Sequence, residues 1–276
     1  MSLDDAVVIG ASVSDGFGTT ISPPPGPSGT PDRMVLVKLA DILGAITGRA
    51  EPLASSTSSF FFQTPEKTAE AQLAFAKGCS PKLVFAVDYL FWHAYGFMRE
   101  ADRGAALERG LARLDQLNVP IVVCDLPDMS HAVGWMLNAG QVPKKETLGT
   151  LNARVAEWAG QRKNVIVLPM TGVVTDAMAN RALKLGGRDF AAGESRALLT
   201  AEGLHATADG EIAVCLEAID RLVAAGVIDK AMAVQRDPAV LKARLLAMKT
   251  AGAKPPAPAA SPDSAPPQPA ATTGPK

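Results

Sequence analysis

Short apolar runs alternate with helical stretches along most of this chain, and that alternation restricts the fold more than any other feature. The predicted strands are residues 6–9, a stretch around 58–63, then 83–87, 119–124 and 165–168. Continuous apolar runs are typical of strands buried on both faces, and helices between them indicate parallel crossovers. The sequence therefore predicts an α/β fold in which helices cover a five-stranded parallel sheet.

Apolar residues spaced three and four positions apart predict the helices. Thr64 followed by Pro65 is typical of a helix start, because an N-cap residue then precedes a proline at the first helical position. The predicted helical segments are 36–46, 64–77, 105–117, 148–158, 175–185, 212–223 and 239–249. Pro, Gly and Ser predict a loop at 21–30.

The composition of the chain indicates how many domains it forms and which classes of partner it does not favour. Residues 1–250 are predicted to form one α/β domain, whereas residues 251–276 are rich in Pro and Ala and predict a disordered tail. The formal net charge of -1 does not favour nucleic acid as a partner. No apolar run reaches the roughly 18–20 residues of a membrane span, so no transmembrane segment is expected.

The three cysteines, Cys79, Cys124 and Cys215, form no CxxC pair. The sequence therefore indicates neither a zinc ribbon nor a redox motif, and Cys124 and Cys215 are expected to be buried. No signal peptide is expected, because the chain starts almost directly on a predicted strand. The compartment stays open, since a leader could have been removed, and the sequence does not indicate an oligomeric state.

The first predicted strand ends in a turn of small residues, 10–18, that permits two chemistries. Its glycines could hold a phosphate, or Ser12 could act as a nucleophile. The glycine spacing does not fit a dinucleotide fingerprint. Neither Tyr89 nor Tyr95 has a lysine four residues later, and no Gly-Lys-Ser/Thr motif is present. The sequence therefore favours the nucleophile and implies no cofactor.

A serine nucleophile needs a general base, and the base needs a carboxylate to orient it. Glu202 lies three residues before His205, in a segment that follows the last predicted strand. Ligands of an open parallel sheet bind beyond the carboxyl ends of its strands, so this topology allows Ser12, Asp88, Glu202 and His205 to converge.

At both ends of the domain the chain resembles the GDSL, or SGNH, serine hydrolases. Their first block reads Gly-Asp-Ser-Leu-Ser, and this chain has Gly-Ala-Ser-Val-Ser at 10–14. Their last block reads Asp-Gly-Leu-His, and this chain has Glu-Gly-Leu-His at 202–205. The resemblance implies a flavodoxin-like three-layer α/β/α fold and hydrolysis of a small-molecule ester through an acyl-enzyme. It assigns Ser12 as nucleophile and oxyanion donor, His205 as base and Glu202 as the orienting acid.

The middle blocks depart from that family. No glycine stands in the segment 60–65, where the family supplies an oxyanion donor, and Asp88 stands where the family has a donating Asn. An ionised Asp accepts hydrogen bonds and cannot donate them. Three arrangements remain open: a protonated Asp88, an Asp88 turned away while Gln63 or another group donates, or a weakly active or non-catalytic relative that binds a ligand or partner.

Two further histidines have weaker functional interpretations. His93 follows Asp88 by five residues and could line the substrate cleft or pair with that carboxyl group, although a structural role is favoured. His131, close to Asp125 and Asp128, resembles a metal site only loosely, and no metal is predicted.

Overall fold

The protein is built around a five-stranded parallel sheet. The structure, a computed structural model, describes residues 3–23, 34–232 and 234–251. The strands are β1 (Ala6–Gly10), β2 (Ala54–Thr57), β3 (Leu83–Phe85), β4 (Ile121–Cys124) and β5 (Val165–Leu168). Their spatial order is β2-β1-β3-β4-β5, with every neighbouring pair parallel. This is the strand order of flavodoxin-like sheets, so the predicted α/β class is confirmed.

Helices cover both faces of the sheet. They are α1 (Leu39–Ile46), α2 (Pro65–Gly78), α3 (Phe91–Ala94), α4 (Arg103–Leu114), α5 (Lys145–Gly160), α6 (Met170–Met178), α7 (Ala208–Ala224) and α8 (Pro238–Ala251). Two short antiparallel ribbons pair Thr20–Ile21 with Val35–Leu36 and Leu183–Leu185 with Arg188–Phe190.

The core consists of two apolar layers, one on each side of the sheet. Along β1, Val8 packs into the layer that contains α1, α7 and α8. Val7 and Ile9 pack into the layer that contains α2, α4 and α5. Successive side chains of a strand point to opposite faces, so β1 contributes to both layers. The result is a three-layer α/β/α arrangement that brings the loops after β1, β3, β4 and β5 to one edge.

Two predicted elements are wrong. The second strand lies at Ala54–Thr57, and the phenylalanine-rich segment assigned to it contains the 3-10 turn Phe61–Gln63. The strand residues are Ala, Ser, Ser and Thr, which lack the apolar signal used to find strands, because this is an edge strand. The helix predicted at 175–185 lies at Met170–Met178, and Leu183–Leu185 forms a ribbon strand instead.

Other details refine the predictions. Thr64 precedes α2, but its side chain makes no capping hydrogen bond and pairs with the Thr68 hydroxyl, 3.2 Å away. Cys124 and Cys215 are buried as expected, and Cys79 is exposed. Across the described ranges, no helix is long and apolar enough to cross a membrane. The predicted tail spans 251–276, but Ala251 is the last residue of α8; residues 252–276 and most of the predicted loop at 21–30 lie outside the described residues.

Candidate active site

Ser12, His205 and Glu202 form a continuous hydrogen-bonded line at the carboxyl edge of the sheet. Ser12 lies in the turn after β1, and its Oγ is 3.0 Å from His205 Nε2. On the opposite side of the ring, His205 Nδ1 is 2.8 Å from Glu202 Oε1. In the tautomer that carries its proton on Nδ1, His205 donates to Glu202 and can accept the Ser12 hydroxyl proton. This is the geometry of a nucleophile, a general base and an orienting carboxylate.

The histidine is held in place by its own turn and by an aromatic ring. The His205 carbonyl accepts hydrogen bonds from the Thr200 N–H and hydroxyl, each at 2.9 Å. The imidazole is buried and packs on the Phe17 ring, with centroids 4.6 Å apart. Burial raises the pKa of Glu202, but hydrogen bonds from Thr200 and His205 outweigh it, so that the pKa lies below its usual value. Glu202 is therefore an anion that can stabilise an imidazolium.

Gly203 permits the tight connection between the acid and the base. Its φ of +74° lies in the left-handed region, which side chains rarely adopt. A Cβ at this position would lie 2.7 Å from His131 Nε2 and 2.8 Å from Met178 Sδ. The backbone conformation therefore favours glycine between Glu202 and His205, and any side chain there would have to displace His131 and Met178.

Asp88 holds the Ser12 turn through its backbone. Its Oδ1 accepts the Ala11 N–H at 2.8 Å and the Ser14 hydroxyl at 2.6 Å. Its Oδ2 accepts the N–H groups of Val13 at 2.8 Å and Ser14 at 3.3 Å. Burial raises the pKa of Asp88 above its usual value, and the hydrogen bonds from Ser14, Ala11 and Val13 only partly offset that rise. The carboxyl group thus accepts from the backbone N–H groups on either side of Ser12. Of the three arrangements considered from the sequence, this is the one in which Asp88 is turned away from the oxyanion.

A second carboxylate, Asp15, ties the same turn to the end of β2. It accepts hydrogen bonds from Thr57 Oγ1 at 2.8 Å and from the Ser59 N–H at 3.0 Å, and it pairs with Lys38 Nζ at 2.7 Å. Burial raises the pKa of Asp15, but hydrogen bonds from the Lys38, Ser59 and Thr57 side chains and the charge of Lys38 bring it below its usual value overall. Gln72 Nε2 donates to the Gly10 carbonyl at 2.8 Å. The turn that carries Ser12 is therefore fixed from β2, α2 and β3.

A buried acid connects the serine turn to the histidine loop. The Thr19 hydroxyl lies 2.6 Å from Glu211 Oε2 and 3.1 Å from the Ala206 carbonyl. Burial raises the pKa of Glu211 to about 8, with the charges of Asp88 and Asp41 acting in the same direction. Glu211 is thus mostly protonated at neutral pH and places no net charge behind the site.

The Ser12 N–H is the one main-chain donor of residues 11–14 left for a ligand, since no described residue accepts a hydrogen bond from it. The N–H groups of Ser58 and Ser59, after β2, donate to Gly10 and Asp15. Beside Ser12 lies a cavity of about 100 Å³ whose wall is largely apolar. The site can therefore offer one backbone donor, a nucleophile with its base, and an apolar pocket.

The structure does not bring the other predicted residues to Ser12. Gln63 is exposed at the end of its 3-10 turn, and it does not line the cavity. His93 is buried against Tyr89 and Phe61, and burial lowers its pKa to about 4. It faces a different surface cavity and does not pair with Asp88. His131 packs on Gly203, and no group of three or more His, Cys, Asp or Glu in the described ranges could hold a metal ion.

Sequence reasoning missed Thr19, Thr200 and Glu211, which support the site, and it gave no structural role to Ser14 and Gly203 although both lie in the quoted blocks. Their contacts join segments as much as 192 residues apart in sequence, and Thr19–Glu211 is an example. One signal was available: Glu211 is an acidic residue in the apolar face of α7, and a buried acid usually has a specific partner. Known family models and curated protein sequences give no match to this chain.

Proposed function

We propose that this protein is a serine hydrolase that cleaves carboxylic esters through an acyl-enzyme, as in the SGNH-type hydrolases that its terminal blocks resemble. The observation that carries the proposal is the line from Ser12 Oγ through His205 to Glu202, with distances of 3.0 and 2.8 Å. Both distances are within hydrogen-bond reach. Each residue alone has ordinary structural explanations, but the three together perform one proton transfer.

The chemistry follows from these positions. Ser12 Oγ attacks the ester carbonyl carbon while His205 Nε2 takes its proton, and Glu202 stabilises the resulting imidazolium. Collapse of the tetrahedral intermediate breaks the bond to the alcohol, which leaves with the proton from His205. Water then attacks the acyl-Ser12 carbonyl while His205 takes a proton from it. Collapse breaks the bond between the acyl carbon and Ser12 Oγ, His205 returns the proton to Oγ, and the carboxylic acid is released.

The Ser12 N–H supplies the developing oxyanion with a hydrogen bond. Losing one oxyanion donor typically costs about 10²–10³ in rate. Because the N–H groups of Ser58 and Ser59 are already used and Asp88 only accepts, we expect a slow enzyme, with the rest of the stabilisation coming from substrate contacts.

A fluorophosphonate probe and a set of p-nitrophenyl esters test the proposal. We expect stoichiometric labelling at Ser12 and hydrolysis that Ser12→Ala abolishes. Ser130→Ala, which removes an exposed serine hydroxyl, is the control and should behave like the parent. Equal hydrolysis by the parent and Ser12→Ala would exclude Ser12 as the nucleophile.

The second candidate is a non-catalytic or weakly active protein that binds a ligand or partner in the same cavity. The small number of free oxyanion donors favours it. In that case Ser12 would stay unlabelled after long exposure to the probe, while apolar ligands would still raise the melting temperature. Labelling at Ser12 would exclude the purely binding version.

A further inference from the structure

The cavity beside Ser12 is placed to receive whatever group becomes attached to that serine. Ser12 forms part of its wall, and so do Leu204 and Ala206, the residues around His205. Much of the rest of the wall comes from the segments that follow β3 and β4, including the start of α3, and from α6 and α7. A carbonyl bound at Ser12 therefore has this space next to it.

The wall is suited to an alkyl chain. Its apolar side chains include Val87, Phe91, Met129, Val174 and Val214. Ligand pockets are lined mainly by apolar groups, with a few polar atoms that fix orientation. An alkyl group would lose contact with water here without leaving any polar group of its own unpaired.

The charges at the cavity exclude an anionic chain. Among the described residues, the carboxyl groups in the wall are those of Asp88 and Asp125, and no described Lys, Arg or His lines it. Asp88 is occupied by the Ser12 turn, and Asp125 accepts the Thr171 N–H at 2.7 Å. An acyl chain ending in a carboxylate would meet these acids with no cation to pair with, which costs free energy.

The size of the cavity limits the length of the chain. Its volume is about 100 Å³. An apolar cavity of about 150 Å³ holds benzene, so this one suits a chain of about four carbons. We propose that the cavity is an acyl pocket that selects short, uncharged acyl groups such as butyryl; the inference rests on the proposed ester hydrolysis.

The test begins with the full chain and p-nitrophenyl esters from acetyl to decanoyl, together with the p-nitrophenyl hemisuccinate. We expect kcat/KM to peak near butyryl, to fall at least tenfold by octanoyl, and to be at least a hundredfold lower for hemisuccinate than for butyrate. A second series of esters keeps the butyryl group and varies the alcohol. The chain length of the alcohol should change kcat/KM less than the chain length of the acyl group does.

Variants at Val214 then test the pocket itself. Val214→Phe narrows it and should reduce kcat/KM for butyryl about tenfold while acetyl changes less than threefold. Val214→Ala, which is more certain to fold, widens it and should move the optimum to hexanoyl. Val223→Phe is the control, because Val223 lies on the same helix but does not line the cavity.

Different results overturn different claims. If esters are hydrolysed through Ser12 but the chain-length profile is flat, or Val214→Ala leaves the optimum in place, the acyl pocket is wrong and the hydrolase stands. If the Val214 variants change the preferred chain length of the alcohol and leave that of the acyl group unchanged, the cavity holds the leaving group and the inference is also overturned. If no ester is hydrolysed and Ser12 is not labelled, the proposed function and the inference both fail.

Discussion

Asp88 Oδ1 accepts the backbone N–H of Ala11 at 2.8 Å, although the two residues are 77 positions apart in sequence. Through this and three further hydrogen bonds, the residue after β3 fixes the turn that presents Ser12. The residue that the resemblance to SGNH hydrolases aligns with an oxyanion donor is here an acceptor that orders the turn carrying Ser12.

Asp88→Asn is therefore expected to damage the site even though it introduces the residue that the SGNH block carries. The amide nitrogen would face N–H donors, and a buried donor left unpaired costs about 1–3 kcal/mol. We expect the free energy of unfolding in urea to fall by that amount and kcat to fall at least tenfold. Asp128→Asn, at an exposed position, is the control. Higher activity in Asp88→Asn would show instead that position 88 faces the oxyanion.

Gly203→Ala should separate the acid from the base. The change combines backbone strain at φ +74° with a Cβ too close to His131 and Met178. Gly193→Ala is a matched control, because Gly193 has a φ of +97° and no atom within 4 Å of the added Cβ. In both variants, backbone strain should lower the free energy of unfolding by about 1–3 kcal/mol. We expect kcat/KM for butyrate to fall at least tenfold more in Gly203→Ala, and equal losses would show that packing on His131 is unimportant.

Glu202→Gln tests the orienting acid. The amide cannot stabilise an imidazolium by its charge, and it can turn its NH₂ toward His205 and select the wrong tautomer. We expect kcat to fall about 10²–10⁴-fold with little change in KM, measured on the butyrate ester. Glu157→Gln, on the exposed face of α5, should leave kcat unchanged. A Glu202→Gln enzyme of full activity would remove Glu202 from the mechanism.

The α/β class could be predicted because β1, β3, β4 and β5 are apolar enough to mark their positions. β2 escaped detection, since Ala54–Thr57 carries no apolar run and is held by pairing to one neighbour, β1. Its register with β1 depends on backbone hydrogen bonds, which leave little trace in the sequence. The phenylalanines that suggested a strand pack in and around a 3-10 turn instead.

The candidate site was predictable where residue types carry the chemistry. Ser12, Glu202 and His205 could be predicted as a set because a serine nucleophile needs a base and an orienting carboxylate, and because their spacing resembles the two terminal SGNH blocks. The hydrogen-bond partner of Asp88 was not predictable, because the direction of a carboxyl group depends on which N–H groups the tertiary fold brings near it. The sequence position of Gln63 suggested an oxyanion donor, but the 3-10 turn leaves its side chain exposed.

Glu211 makes the stability of the protein depend on pH. Its pKa is about 8 in the folded protein and close to 4.5 when the chain is unfolded, so the folded state binds more protons between these values. The stabilisation is complete below pH 4.5 and is lost as pH rises toward 8. Within that window Glu211 alone lowers the free energy of unfolding by about 1.4 kcal/mol for each pH unit.

Glu211→Gln removes this titration and keeps an oxygen that can accept from Thr19. We expect the parent to lose stability relative to Glu211→Gln as pH rises from 5 to 8, measured by urea unfolding at each pH. Glu70→Gln, on the exposed face of α2, is the control, and its stability should follow the parent at every pH. A difference between parent and Glu211→Gln that stays constant with pH would mean that Glu211 is ionised in the folded protein, with an ordinary pKa.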